Sequence, residues 1–294
     1  MAIPPLLIAA ALLLGADQCR AQSSTPLPCR FEHGLITLLV PQSCSDTLRF
    51  YLDTGGLDAL YRSGNQKRCK NGTRMRDWSD TIVSRSRANG IPWPSGLALQ
   101  RTKERDGSWD GMLGRAWFGE GRWAFDHPAG TLAQAPNDNS AYRSTVALGK
   151  REHPTHGTTG PLLRIPVMVS GDTIQLLFDT GARMQDDRGE MSATSFISDS
   201  LFNHWHVEHP EWVVVPAKDH SLGSPADQIF VPEVIIGTRT IGPVVFTVRA
   251  KENFHVLSRH FMDRPVVGAL GANALSLLGA FILDYPGALL MMEP

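Results

Sequence analysis

Residues 46–56 read DTLRFYLDTGG, and residues 172–182 read DTIQLLFDTGA. Each copy opens on Asp-Thr, crosses an apolar, β-favouring run and stops at Asp-Thr-Gly. The two aspartates, Asp53 and Asp179, lie 126 positions apart. One Asp-Thr-Gly at a strand end is an ordinary turn, in which Asp bonds nearby amides and Gly adds conformational freedom. A phrase written twice raises the question of whether the framework around it is repeated as well.

It is. Residues 111–128 read GMLGRAWFGEGRWAFDHP and residues 268–286 read GALGANALSLLGAFILDYP. Both start on Gly-x-Leu-Gly, pass through a mixed apolar stretch, and close an apolar strand on Asp-aromatic-Pro: Asp126-His127-Pro128 and Asp284-Tyr285-Pro286. Each half therefore has the order strand, Asp-Thr-Gly, variable middle, Gly-x-Leu-Gly, strand, Asp-x-Pro turn. Asp53 to Gly114 spans 61 positions and Asp179 to Gly271 spans 92. The second half thus carries insertions, and MQDDRGEMSA (184–193) is the candidate nearest its Asp-Thr-Gly.

The local patterns are β. Short runs at 35–40, 48–52, 162–169, 174–178 and 231–250 are bounded by turn residues. SFISDSLFNHW (195–205) has a helical period. With 27 Gly and 20 Pro in 294 residues, many short strands are favoured over a helical bundle. The stretch 133–160 is polar, Pro- and Gly-bearing and aperiodic, and reads as the connection between a first lobe (29–132) and a second lobe (161–294). The expected fold is all-β, with two related lobes about a pseudo-two-fold axis and a few short helices.

A formal net charge of −1 gives no basis for binding nucleic acid or an anionic membrane surface. Residues 1–21 read as an export signal, with an apolar run from Pro4 to Ala16 before Cys19-Arg20-Ala21. No later segment is long and apolar enough to span a bilayer, so the mature chain is expected to be soluble and periplasmic or extracellular. In an oxidising compartment two of Cys29, Cys44 and Cys69 would pair, and the spacing does not say which. Asn71-Gly72-Thr73 is a glycosylation sequon.

Two carboxylates a hydrogen bond apart cannot both ionise easily, so they share a proton. Such a pair can deprotonate a water while donating to a carbonyl oxygen, which hydrolyses an amide without metal or cofactor. Here the chain resembles aspartic proteases of the retropepsin–pepsin group. The matching residues are Asp53-Thr54-Gly55 and Asp179-Thr180-Gly181, with Met112-Leu113-Gly114 and Ala269-Leu270-Gly271 as the hydrophobic-hydrophobic-Gly elements. Gly114-Arg115-Ala116 is close to the Gly-Arg-Asn of retroviral enzymes, and the ending GALGANALSLLGAFILDYPGALLMM is similar to the close of bacterial retropepsin-like domains.

The resemblance implies a β-barrel-like lobe per half, Asp53 and Asp179 facing each other over one water, crossed hydrogen bonds from Thr54 and Thr180, and Gly114 and Gly271 packed beside their own aspartate loops. It implies a monomeric, exported aspartic endopeptidase acting on peptides or proteins, with no cofactor. The family usually has Ser, Thr or Ala after Asp-Thr-Gly, and the first half departs with Gly56; neither Gly56 nor Ala182 supplies the hydroxyl with which a Ser or Thr can bond the aspartate, and Asn273 is shifted one place from the usual Asn. Loss of that hydroxyl predicts an activity optimum near about pH 5–6. RANGIPWPSG (87–96) is the candidate flap.

Two alternatives use the same residues: a catalytically silent peptide binder on this scaffold, and a homodimeric protease using only the second-lobe aspartate. His204, His206 and His209 have metal-ligand spacing, but no thiolate pair or HExxH accompanies them. The tryptophans Trp78, Trp93, Trp109, Trp117 and Trp123 are expected in the core and cleft wall.

Overall fold

The computed structural model describes residues 25–41, 47–61, 82, 86–87, 89–95, 97–102, 109–137, 142–151, 161–220 and 224–293. The expected export signal, Cys44, Cys69, the sequon at 71–73 and Trp78 lie outside these residues. Cys29 carries a free thiol, whose burial raises its pKa.

In the first half, strands β1 (Cys29–Glu32), β2 (Leu35–Pro41) and β3 (Thr47–Leu52) form an antiparallel meander. β4 (Ala59–Tyr61) and β5 (Gln100–Thr102) follow, then β6 (Gly111–Leu113), the short helix α1 (Arg115–Phe118), β7 (Arg122–Asp126) and β8 (Thr131–Gln134). β6 slots between β3 and β4, parallel to the first and antiparallel to the second. The segment 133–160, read from sequence as connection, also contributes β9 (Ser144–Ala147) and β10 (Gly149–Lys150).

The second half repeats this plan. β11 (Leu163–Val169) and β12 (Asp172–Asp179) form an antiparallel pair, and after Asp-Thr-Gly come β13 (Arg183–Gln185), β14 (Met191–Ala193) and β15 (Ser195–Ser198). Helix α2 (Asp199–Glu208) precedes β16 (Val214–Val215), β17 (Lys218–Asp219), β18 (Ser224–Pro225), β19 (Gln228–Val231), β20 (Val234–Ile236), β21 (Arg239–Ile241) and β22 (Val244–Arg249). Helix α3 (Lys251–Phe261), β23 (Gly268–Gly271), helix α4 (Ala272–Leu275), β24 (Ala280–Asp284) and β25 (Leu289–Met292) complete it. β23 slots between β12 and β15 as β6 does between β3 and β4, parallel to one and antiparallel to the other. The molecule is all-β, with two related halves.

The halves share one sheet, ordered β8-β7-β24-β25-β9. β7 and β24 are equivalent strands of the repeat, and they pair antiparallel with Ala124 opposite Ile282, centre to centre. That register is what a two-fold axis through the pair requires. Each Asp-aromatic-Pro turn is closed the same way: Asp126 Oδ1 accepts from Ala129 N at 2.9 Å and Asp284 Oδ1 from Gly287 N at 2.8 Å. Trp117, Trp123, Phe118, Phe125, Tyr285 and Phe281 pack under this sheet, essentially all buried. Burying each large apolar side chain contributes on the order of 2 kcal/mol before entropy is counted.

Helical periodicity placed 195–205 in one helix, but residues 195–198 are strand. Ser195–Ser198 lies in a ladder between β22 and β23, and those long-range bonds outweigh local propensity. Ser198 then caps α2, its Oγ accepting from Leu201 N at 3.3 Å. The run 231–250 divides into three strands at turns through Gly237 and Gly242, both with positive φ. MQDDRGEMSA forms most of the β13–β14 hairpin and has no counterpart between Asp53 and β4, so it is an insertion.

Candidate active site

β3 and β12 each end at the repeated motif, and the central strands β6 and β23 hold them in register from the side: Leu52 opposite Leu113, and Asp179 opposite Gly271. The chain then turns the same way in both copies, with Gly56 N donating to Asp53 O at 3.0 Å and Ala182 N to Asp179 O at 3.3 Å.

The two turns grip each other. Thr54 N donates to Thr180 Oγ1 at 3.1 Å, and Thr180 N donates to Thr54 Oγ1 at 3.0 Å. Each hydroxyl passes its own proton on, Thr54 Oγ1 to Phe178 O at 3.0 Å and Thr180 Oγ1 to Leu52 O at 3.3 Å. Both threonines are buried, so their two amides and two hydroxyls find their partners in the opposite half.

This grip brings the Asp53 and Asp179 carboxyls into hydrogen-bond contact. Both residues keep a partly open face, yet the carboxyls are poorly hydrated. Burial raises the Asp53 pKa, opposed by Asp179, by Arg183 and by the amides of Gly55 and Gly56. Burial, and then the Asp53 charge, push Asp179 well above the carboxylate range, opposed by the Gly181 amide and Arg183. Gly181 N donates to Asp179 Oδ1 at 2.9 Å. Asp53 Oδ1 is buried with no hydrogen-bond donor among the described residues. Two carboxyls that act on each other in this way have titration steps that belong to the pair and not to either residue.

The glycines are there for space. None of Gly55, Gly56 and Gly181 has positive φ, in contrast to the usual reason for a turn glycine. A Cβ on Gly55 would lie 2.6 Å from Asp179 Cγ, and one on Gly181 would be closer still to Asp53. A Cβ on Gly56 would lie 2.7 Å from Asp53 Cγ, so a serine there cannot simply supply the missing hydroxyl without moving the carboxyl. Gly114 lies against Gly56 O and Gly271 against Thr194 O, each leaving no room for a side chain.

Sequence reading missed the residues that brace these loops. Asp58 is buried and accepts from Gly114 N at 2.8 Å, Ala116 N at 3.0 Å and Trp117 N at 3.2 Å, capping α1. Burial raises its pKa while the three amides pull it down. In the second half Ser195 takes this place: its Oγ accepts from Gly271 N at 2.9 Å and donates to Asn273 Oδ1 at 2.8 Å, and Asn273 Nδ2 donates to Val245 O at 2.9 Å. The displaced Asn273 is thus a buttress. Arg115 lies over the Phe261 ring at 5.1 Å, and Tyr285 donates to Pro161 O at 2.6 Å. The Tyr51 hydroxyl donates to Gly181 O, a further tie between the halves. Asp58 gave no local signal, because the helix it caps starts 57 residues further along the chain and the capping preference is read only from the residue next to a helix.

The described part of 87–96 contains no hairpin. Ile91 and Trp93 are buried in the main core, and Trp117 Nε1 donates to Pro92 O at 2.9 Å, so this segment is packed against α1. Trp109, Trp117 and Trp123 are buried too. The three histidines face separate partners: His204 pairs with Glu208 at 3.2 Å, His206 stacks on Phe202, and His209 stacks on Trp212 with 4.1 Å between centroids. Among the described residues no three His, Cys, Asp or Glu side chains converge on a point. No helix among them is long and apolar enough to cross a membrane.

No family model matches the chain, and no curated protein matches it by sequence. Among solved structures, the aspartic proteinase from Irpex lacteus is similar over 92% of this chain and 97% of its own, at 9% identity and a TM-score of 0.45. A likeness of that degree carries no argument about chemistry, which rests on the paired loops themselves.

Proposed function

We propose that the chain is an aspartic endopeptidase whose general acid and base are Asp53 and Asp179. The observation that carries this reading is the exchange of threonine hydrogen bonds that holds the two aspartate loops together, and a pair of carboxyls so placed can share one proton. In the singly ionised pair, the charged carboxylate takes a proton from an attacking water while the protonated carboxyl donates to the peptide carbonyl oxygen. The resulting tetrahedral diol returns a proton to the amide nitrogen, the C–N bond breaks, and the dyad is left singly ionised again. No group outside the chain, peptide and water is consumed. Thr54, Gly55, Gly56, Thr180, Gly181 and Ala182 position the carboxyls, and Gly114 and Gly271 back their loops. Both carboxyls come from one chain, so the reaction needs no second copy.

Asp53→Asn and Asp179→Asn should each abolish hydrolysis of a peptide library while the protein still melts cooperatively. A peptide mimic with a central hydroxyl should inhibit the wild type. Activity retained in Asp53→Asn would point to the second-lobe dimer, and tight binding of the mimic with no cleavage would point to the silent binder. The reading includes export through removal of 1–21, which N-terminal sequencing of the mature protein tests.

A further inference from the structure

Tyr51 stands two residues before Asp53, and its ring is fully buried at the seam of the halves. The Trp109 ring lies 4.7 Å away between centroids at 35°, and Trp109 Nε1 donates to Thr37 Oγ1 at 3.1 Å, which fixes the indole. Leu35 packs with these rings, and Met191 and Ala193 of the β13–β14 hairpin close over them from the second half. Ala193 N donates to His33 O at 2.9 Å and pins the hairpin in place. Burial keeps the phenol neutral, so it remains a donor. Its proton goes to Gly181 O, inside the second Asp-Thr-Gly.

Gly181 touches both carboxyls. Its amide donates to Asp179 Oδ1 at 2.9 Å, and it lies so close to Asp53 that a Cβ would overlap the carboxyl carbon. The peptide group that Tyr51 grips through Gly181 O carries Ala182 N at its other edge, and that amide donates to Asp179 O at 3.3 Å. One peptide plane is thus held on its oxygen by the first half and on its nitrogen by the second-half turn. Rotating it would press Gly181 on one aspartate or draw it from the other.

We propose that Tyr51 is a positioning residue for the dyad: by donating to Gly181 O it holds the Asp53 and Asp179 carboxyls in reacting register. The inference deepens the endopeptidase reading and rests on it. The repeat does not supply this device twice. Gly55 stands to Asp179 as Gly181 stands to Asp53, but the residue that answers to Tyr51 is Leu177, which has no donor. The threonine exchange ties the turns at Thr54 and Thr180 and does not reach the Gly181 carbonyl.

The test is Tyr51→Phe in the full chain, checked for cooperative melting. It removes one oxygen, keeps the ring against Trp109 and leaves a buried carbonyl without this donor. Tyr51→Met, which fills the space without a donor, is the second variant should the first fail to fold. Peptide hydrolysis is measured well below the melting midpoint, with active sites counted by titration with the hydroxyl-bearing mimic. We expect kcat per titrated site to fall about 10-fold or more with KM within about twofold of wild type, because Tyr51 is buried and meets no substrate. A role in stability alone would lower the midpoint and the titratable fraction, and an unchanged kcat per site in a folded variant overturns the proposal. A wild type that binds the mimic but cleaves no peptide overturns the endopeptidase reading instead. Mimic affinity weakened about 10-fold in Tyr51→Phe would then uphold the positioning role, and equal affinity would overturn it. A wild type that neither cleaves nor binds overturns both.

Discussion

Gly181 and Asp53 touch across the two halves so closely that the glycine leaves no room for even one carbon. Gly55 stands in the same relation to Asp179, where a Cβ would lie 2.6 Å from the carboxyl carbon. Each loop thus reserves space for the other's carboxyl. Gly55→Ala and Gly181→Ala should each cut peptide hydrolysis by at least about 100-fold, the scale of a misplacement near 1 Å. Steady-state kinetics check this, and wild-type turnover in either variant would show that the contact yields freely.

The threonine exchange should be visible in stability. Thr54→Val and Thr180→Val each leave a buried amide of the opposite half without its acceptor and a carbonyl without its donor, at a cost of about 1–3 kcal/mol. Because the two hydroxyls serve one network, the double variant should lose less than the sum of the singles. Urea denaturation of all four proteins measures this, and strict additivity would contradict the exchange.

The dyad also makes a prediction about pH that needs no substrate. The folded pKa of both aspartates is raised from the ordinary 3.8, so the fold binds protons more tightly than the unfolded chain does. The stability contributed by that uptake is fully present below about pH 4 and is lost as pH rises through the raised values. Asp179→Asn removes the cost. Its melting temperature should equal the wild type's in acid and exceed it by a growing margin toward neutral pH. A constant margin at all pH values would mean the pair is not strained by charge.

Asp58 offers a test of the brace on α1. Asp58→Ala strands three amide donors, Gly114, Ala116 and Trp117, and should cost about 1–3 kcal/mol in denaturant melts. Asp58→Asn keeps a carbonyl acceptor and should recover part of that loss.

The repeat made much of this architecture legible. Asp53, Asp179, Gly114 and Gly271 could be aligned by eye because the same strand-turn grammar surrounds each, and that grammar reflects one packing solution used twice. What was hidden depended on contacts distant in sequence. Ser195–Ser198 has a helical period that yields to neighbours on β22 and β23. The reason for Gly55 and Gly181 lies in an aspartate more than a hundred residues away. Tyr51 and Arg183 look like an ordinary strand residue and an ordinary surface cation until the hairpin is folded against the other half. The segment 87–96 reads as a flap from its Gly and Trp, while the burial of Ile91 and Trp93 is a tertiary outcome.

A two-fold site has no preferred end, since a peptide laid across it in either direction would meet the same groups. The hairpin insertion exists in one half only and ends that equivalence. Position for position, Arg183 answers to Leu57 and Leu177 answers to Tyr51. One flank of the carboxyl pair therefore presents a cation stacked on aromatic rings, and the other presents an aliphatic side chain that is 40% exposed. The insertion and the unlike residues beside it give the molecule a polarity, so that the amino and carboxyl sides of a strand laid across the site would meet unlike surroundings.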